Sequence, residues 1–250
     1  MQHQAHQPTS GFKVLRASER GTLDAGWLRA NYSFSFGQYY NPRRMGFGPL
    51  RVVNQDHIQP GGGFGTHGHE NMEIITWVQS GELVHEDSMG NRGFLGPGEL
   101  QVMSAGSGVR HSEFNGSKTD GVDLMQMWIL PAHQDTKPSW EQRLSPTAER
   151  AGKLLQLVGT HAEAREGLLT IDQDARFFAG WLSQGDAVSF QVQAGRRAFV
   201  IVARGQVRCG EHTLDRGDAL EVVGPADGLT LSFEGLDATA PTDLILWDLA

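Results

Sequence analysis

Cysteine is almost absent from this chain. The one thiol, Cys209, cannot form a bridge within the molecule, which excludes a disulfide framework. It lies between Arg208 and Gly210 in a strand-like stretch and reads as a buried, inert side chain. A reducing compartment is the expectation that follows. Long apolar runs are missing as well. No stretch approaches the ~20 residues of a membrane-spanning helix. The opening MQHQAHQPTS has neither the basic start nor the apolar centre of a secretory signal, and its ten residues read as a polar, frayed tail. A cytoplasmic chain with no membrane partner is expected. Basic charge is in deficit, 21 Lys+Arg against 29 Asp+Glu for a net −8, which argues against direct nucleic-acid contact and against a polybasic membrane surface.

Glycine, by contrast, is abundant, at 32 of 250 residues. There is no Gly-X-Y period. The glycines fall between short apolar runs, as turns do between strands. Runs of this kind cover residues 51–54, 73–79, 82–86, 93–95, 100–103 and 123–130. They resume at 168–172, 177–182, 188–192, 198–203, 206–208, 219–223, 229–233 and 244–249. None repeats at helical spacing over three turns. An all-β fold of sandwich, jelly-roll or barrel type is predicted. The texture breaks between 131 and 157, where Ser145-Pro146 before Thr-Ala-Glu-Arg-Ala reads as an N-cap and first turn of a short helix. This divides the chain into 11–130, a connector at 131–157, and 158–250.

The two halves look like a degenerate repeat. The run Glu73 to Gly81 lies on Arg197 to Gly205, and Gly98-Glu99-Leu100 lies on Gly217-Asp218-Ala219.

Ten histidines are spread along the chain, and two form His67-Gly68-His69. Residues two apart on a strand share a face, so both imidazoles converge. Glu73 keeps the same parity if the strand runs on unbroken. His111-Ser112-Glu113 places an imidazole and a carboxylate on one face of another strand. Neighbouring strands lie ~4.8 Å apart, so the two segments can bring nitrogen and oxygen ligands onto one divalent transition-metal ion. On parity alone either Glu73 or Glu113 can be the carboxylate. Three other patterns fail. Gly63-Phe-Gly-Thr-His-Gly68 fits GxGxxG but runs into the β-branched segment 74–78 instead of a helix. His69-Glu70-Asn71-Met72-Glu73 lacks the second histidine of a zincin motif. No serine sits in a nucleophile elbow. His85-Glu86-Asp87 reads as a polar hairpin, and Arg43-Arg44 as a solvated turn. Phe34, Phe36, Tyr39, Tyr40 and Trp77 read mostly as core, with one or two left to line a pocket.

The segment Gly61-x5-His67-x-His69-x3-Glu73-x7-Gly81 resembles the first metal motif of the cupins, and Gly98-x5-Ser104-x-Gly106-x4-His111-x3-Asn115 resembles the second. Four segments together, 47–54, 63–73, 85–91 and 103–113, resemble the pirin family, and its bacterial quercetinase-like branch more closely. Gly68 and Glu70 stand where that pattern has Pro and Arg. The resemblance implies a bicupin, two jelly-roll β-barrel domains in tandem joined by a short helical connector. It implies one divalent transition-metal ion per chain held by His67, His69, His111 and Glu113, with iron ahead of Zn, Mn, Co, Ni or Cu. Glu113 or Glu73 then serves as the catalytic base, Glu73 from beside the ligands. The implied activity is quercetin 2,3-dioxygenation, with a small planar phenolic substrate and O2 as partners of a monomer. The alternative within the same family is a metal-bound regulator that works by contacting other proteins. Laid on the repeat, the second half offers Gln191, Gln193, Thr230 and Ser232 where the first has its histidines and Glu113, so it is expected to bind no metal.

Overall fold

Short strand-forming runs closed by glycine turns give 22 strands and one short helix over residues 11–250 in a computed structural model. The opening tail expected to fray lies outside the described residues. The first half contains β1 (Gly11–Leu15), β2 (Gly21–Asp24), β3 (Leu28–Tyr32), β4 (Leu50–Ile58), β5 (Gly63–His69) and β6 (Glu73–Ser80). It continues through β7 (Leu83–Asp87), β8 (Arg92–Leu95), β9 (Glu99–Ser104), β10 (Val109–Asn115), β11 (Val122–Ile129) and β12 (Ser139–Leu144). After α1 (Thr147–Arg150) come β13 (Leu154–Thr160), β14 (Leu169–Ile171), β15 (Ala175–Leu182), β16 (Ala187–Val192) and β17 (Arg197–Arg204). The chain ends with β18 (Gln206–Cys209), β19 (His212–Asp215), β20 (Ala219–Val223), β21 (Leu229–Gly235) and β22 (Thr242–Leu249).

Each half is a jelly-roll of one large and one small sheet, so the two-barrel, cupin-type architecture expected from the sequence is the one observed. The large sheets run β12-β9-β6-β11-β4-β3-β2 and β1-β20-β17-β22-β15-β13-β14; the small ones run β5-β10-β7-β8 and β16-β21-β18-β19. The orders correspond strand for strand over their first five members. The glycines that anchored the repeat take matching left-handed turns, φ 76° at both Gly81 and Gly205, and 81° and 87° at Gly98 and Gly217. A side chain at Gly81 or Gly205 would also strike the neighbouring backbone, so both positions need glycine twice over.

The large sheets pack against each other. Alternate residues of β6, β11, β17 and β22 (Ile75, Trp77, Met125, Met127, Phe199, Ile201, Ile245 and Trp247) form one apolar seam between the halves. The opposite faces look into the barrels. In the second barrel that interior is closed by Val200, Leu220, Phe233 and Leu246. In the first, apolar packing is split into two smaller groups with polar side chains between them.

Two edge strands fall outside the expected division. β1, which a division at residue 11 groups with the first half, pairs with β20 of the second. β12, within the expected connector, pairs with β9 of the first. Its exposed, polar sequence SWEQRL carries no alternation to mark it as a strand. The helix is a single turn, and Ser145 does not cap it. Pro146 occupies the capping position, Ser145 Oγ is buried without a partner, and the Ser145 amide instead donates to Gly98 O at 2.8 Å. Arg150 of this turn is buried against the seam. It pairs with Asp243 at 2.6 Å and lies over the Trp77 ring, whose Nε1 also donates to Asp243.

Candidate metal centre

The paired strands β5 and β10 carry the two motifs. Their register sets His111 opposite His67 and Val109 opposite His69. Between the pairs His111↔His67 and Glu113↔Phe64, β5 has two residues, Gly65 and Thr66, against the single Ser112 of β10. This bulge bends β5 and aims its end inward. On β10 the alternation is strict. Val109, His111, Glu113 and Asn115 are buried and the residues between them face out. The parity argument therefore holds for His67, His69, His111 and Glu113, and all four project into the first barrel.

The three imidazoles meet. Ring centroids lie 4.5 Å apart for His67 and His111, 4.7 Å for His67 and His69, and 5.0 Å for His69 and His111, and one nitrogen of each lies within 4.8 Å of the others. His67 Nδ1 donates to Gly65 O at 2.8 Å, which leaves its Nε2 lone pair facing the cluster. His111 Nε2 is buried and unpartnered. Burial and mutual repulsion lower the pKa of His69 to about 4 and that of His111 to about 3, so both rings are neutral at neutral pH, the form a metal requires. An unpartnered buried nitrogen grouped with two further imidazoles, and sharing a second group with the Glu113 carboxylate, fits a borderline transition metal and does not fit a calcium site, which would be all oxygen.

Glu113 is fixed from below by a row of polar side chains that crosses the large sheet. Gln101 on β9 donates to Oε1 at 2.6 Å, Gln126 on β11 to Oε2 at 2.7 Å, and Thr76 on β6 lies 3.4 Å from Oε1. The register places Gln101, Thr76, Gln126 and Asn54 side by side on β9, β6, β11 and β4. None of these four residues is a specified position of the two metal motifs. The signal was there for three of them: Gln101, Thr76 and Gln126 each interrupt an apolar run of β9, β6 and β11, whereas Asn54 opens a polar stretch of β4. At the corresponding places the second barrel has Leu220, Val200, Leu246 and Phe178 in the same register. Gln191 and Thr230, expected to replace His67 and His111, do face each other on β16 and β21.

Three expectations need correction. Glu73 does not share the histidines' face. β5 ends at His69, the chain turns through Asn71 at φ 49°, and Glu73 opens β6 in the other sheet. With the parity of Ile75 and Trp77 it points to the seam between the halves. There it accepts from Ser104 Oγ at 2.5 Å and lies near Asp172, and burial raises its pKa to about 7. His85 is in the predicted hairpin but not on its surface. It is fully buried, forms a second compact group with His111 and Glu113, and stacks on Trp140. Its Nδ1 lies 3.5 Å from His111 Nδ1 and its Nε2 3.4 Å from Asp87. Arg44 is not a free turn residue; it reaches Glu221 of the second half at 2.5 Å and covers the Phe34 ring.

Above the cluster lies a cavity of about 890 Å³ reached by His67, His69, Glu113 and Gln126. Its walls are largely aromatic: Trp27, Tyr32, Phe36, Tyr39, Phe64 and Trp128. Trp128 stands edge-on to His69 at 4.8 Å. Of the five aromatic residues weighed in the sequence, Phe36 and Tyr39 line this cavity, Phe34 and Trp77 sit in the seam, and Tyr40 is exposed. Asp56, on β4, also borders the cavity. Burial, with Glu113 nearby, raises its pKa to about 7 against the opposing pull of Arg20. No helix among the described residues is long and apolar enough to cross a membrane.

Residues 12–129 match the family model described as Pirin, and residues 157–249 match the model of the quercetinase C-terminal cupin domain. The chain is 39% identical over 236 residues to a quercetin 2,3-dioxygenase of Escherichia coli, covering 94% of this chain and 97% of that protein. It is 36% identical over 230 residues to a pirin-like protein of Caulobacter vibrioides, covering 92% and 96%. Among solved structures it resembles the bacterial pirin YhhW of Escherichia coli in complex with nickel(II), with a TM-score of 0.85, 35% identity and coverage of 96% and 99%.

Proposed function

The chain belongs to the pirin family, and from that premise we propose that it is a metal-dependent dioxygenase that opens flavonols such as quercetin. His67, His69, His111 and Glu113 are the ligands in this reading. Iron is the first choice of cation by family resemblance, with Zn, Mn, Co, Ni and Cu as the other members of the class. The observation that carries the proposal is the aromatic cavity opening directly onto the imidazole cluster. Its volume falls in the range of small-molecule sites. An accessible cavity of this kind supports an enzyme over a regulator, which would need only a closed metal site and an outer contact face.

When bound, the cation supplies a Lewis acid that makes the flavonol 3-hydroxyl acidic and a site beside which O2 can meet the electron-rich ring. The protein's own residues do the rest. The aromatic walls hold the planar rings and exclude water. Gln101, Gln126 and Thr76 keep the Glu113 carboxylate aimed. Of the two glutamates weighed as base, Glu113 lines the cavity and Glu73 does not, so Glu113 takes the hydroxyl proton. Ring opening places both oxygen atoms in the organic product and releases carbon monoxide.

The test is quercetin turnover by the metal-loaded protein in air and under argon. Consumption in air with release of carbon monoxide, and none under argon, is expected. Turnover that does not depend on O2, or no turnover with any of the six metals, overturns the proposal.

A further inference from the structure

Two polar side chains at the cavity wall have nothing in the protein to bond. Asn54 and Asp56 lie two apart on β4, so they share the face that looks into the first barrel. They are 1% and 4% exposed, and both line the cavity. Neither Asn54 Oδ1 nor Asp56 Oδ1 has a hydrogen-bond partner. Their neighbours explain why. Asn54 sits between Tyr32 and Gln126, and the Gln126 amide is already committed to Glu113. Asp56 sits between Ala30 and Leu124, which offer no side-chain donor. The nearest guanidinium, Arg20, gives its two terminal nitrogens to Gln55 Oε1 and the carbonyls of Asn31 and Val53, its Nε has no partner, and it acts on Asp56 through charge without a hydrogen bond.

Leaving a buried acceptor unpaired costs stability, so a fold that keeps two on one wall of a binding cavity points to a partner that arrives from outside. The two differ from the rest of the polar row in this respect. Gln101, Thr76 and Gln126 turn to Glu113, whereas Asn54 and Asp56 make no side-chain hydrogen bond and border the aromatic space, Asp56 bordering the pocket beside Arg20 as well. Asn54 is one strand, roughly 4.8 Å, from the glutamine that holds Glu113, well within the length of a three-ring molecule anchored at the histidines.

We infer that Asn54 and Asp56 form a second contact point of the cavity, accepting hydrogen bonds from phenolic hydroxyls of the ligand away from its metal-binding group. They thereby select polyhydroxylated flavonols over the unsubstituted ring system. This inference rests on the flavonol reading above. The selectivity is of the kind that a site built around unpaired polar groups imposes, because a ligand without hydroxyls leaves those groups buried and alone.

The experiment compares quercetin with the parent flavonol, which keeps only the chelating hydroxyl. Binding is followed by quenching of tryptophan fluorescence, since Trp27 and Trp128 line the cavity. It is measured in chelator-treated protein, where the two side chains contribute and the cation does not, and again after loading with metal. The wild-type protein is expected to bind quercetin at least about tenfold more tightly than the parent flavonol. In Asn54→Leu/Asp56→Leu that preference falls to within about twofold, because quercetin is weakened while the parent flavonol is unchanged. The melting temperature of the ligand-free variant is expected to equal or exceed that of the wild type, because two unpaired polar groups are gone. Equal affinity of the wild type for both flavonols, or equal loss of both in the variant, overturns this inference and leaves the flavonol reading standing. Binding of neither flavonol by the wild type, with or without metal, overturns both.

Discussion

Replacing Gln126 by leucine isolates what the polar row does for the cluster. The Gln126 amide donates at 2.7 Å to Glu113 Oε2, and the residue is buried in the middle of β11. Leucine is the residue found at the matching position of the second barrel, Leu246, so the sheet has a proven place for it. What is lost is a charge-assisted hydrogen bond to a carboxylate, worth about 1.5–3 kcal/mol. The Trp128 Nε1 contact to Gln126 Oε1 at 3.2 Å goes with it, a neutral and weaker bond. If Glu113 is a ligand, its loosened carboxylate passes that energy to the cation, and the metal dissociation constant rises by roughly 10–100-fold. The assay is competition for metal against a chromophoric chelator, with thermal melting of chelator-treated protein as the control. Weakened metal binding with a chelated melting point close to that of the wild type is expected. A dissociation constant within twofold of the wild type refutes the claim that the row serves the metal through Glu113.

His67→Ala removes one of the three converging imidazoles and is expected to abolish stoichiometric metal on elemental analysis; full occupancy in that variant contradicts the ligand assignment. Arg150→Ala leaves Asp243 buried with only the Trp77 indole as partner, and chemical denaturation is expected to show a loss of about 3–5 kcal/mol, less in Arg150→Met. Glu73 has a folded pKa raised to about 7 against an ordinary value of 4.5, so the folded state binds the extra proton and wild-type stability declines as pH rises from about 4.5 to 7. Glu73→Gln does not titrate, so its advantage over the wild type is expected to grow across that window, by up to about 3 kcal/mol, in denaturation curves at pH 5 and pH 8. Burial pushes the Cys209 thiol up to about 11, so a thiol reagent at pH 8 is expected to label it only after unfolding.

The parts of the fold that were legible in the sequence are those governed by local patterning. Alternating and continuous apolar runs gave most strands, and the glycines at 81, 98, 205 and 217 gave the repeat. The histidine spacing gave the cluster, because it depends only on pairs two residues apart within single strands. Glu73 failed where the argument had to cross a turn. Parity carried from His69 across Glu70 to Met72 assumes one strand, and the chain changes sheets there. His85 was hidden by its charged neighbours, although its phase with the buried Leu83 marks it as inward-facing. The strands β1 and β12 were hard to place for a different reason. Their partners lie in the opposite half or behind an irregular connector, and nothing in a local window records which sheet an edge will join.

The lending of β1 to the second sheet ties the two barrels together. A chain cut between them would yield a leading fragment bearing a ribbon that belongs to its sibling, and a trailing fragment with an uncovered rim at β20. Such pieces are primed for reassembly by complementation when mixed, and for aggregation through bare β20 when kept apart. The same arrangement gives two whole molecules a route to an intertwined pair, in which each lends its first strand to the other and every hydrogen bond of the lone protein is kept.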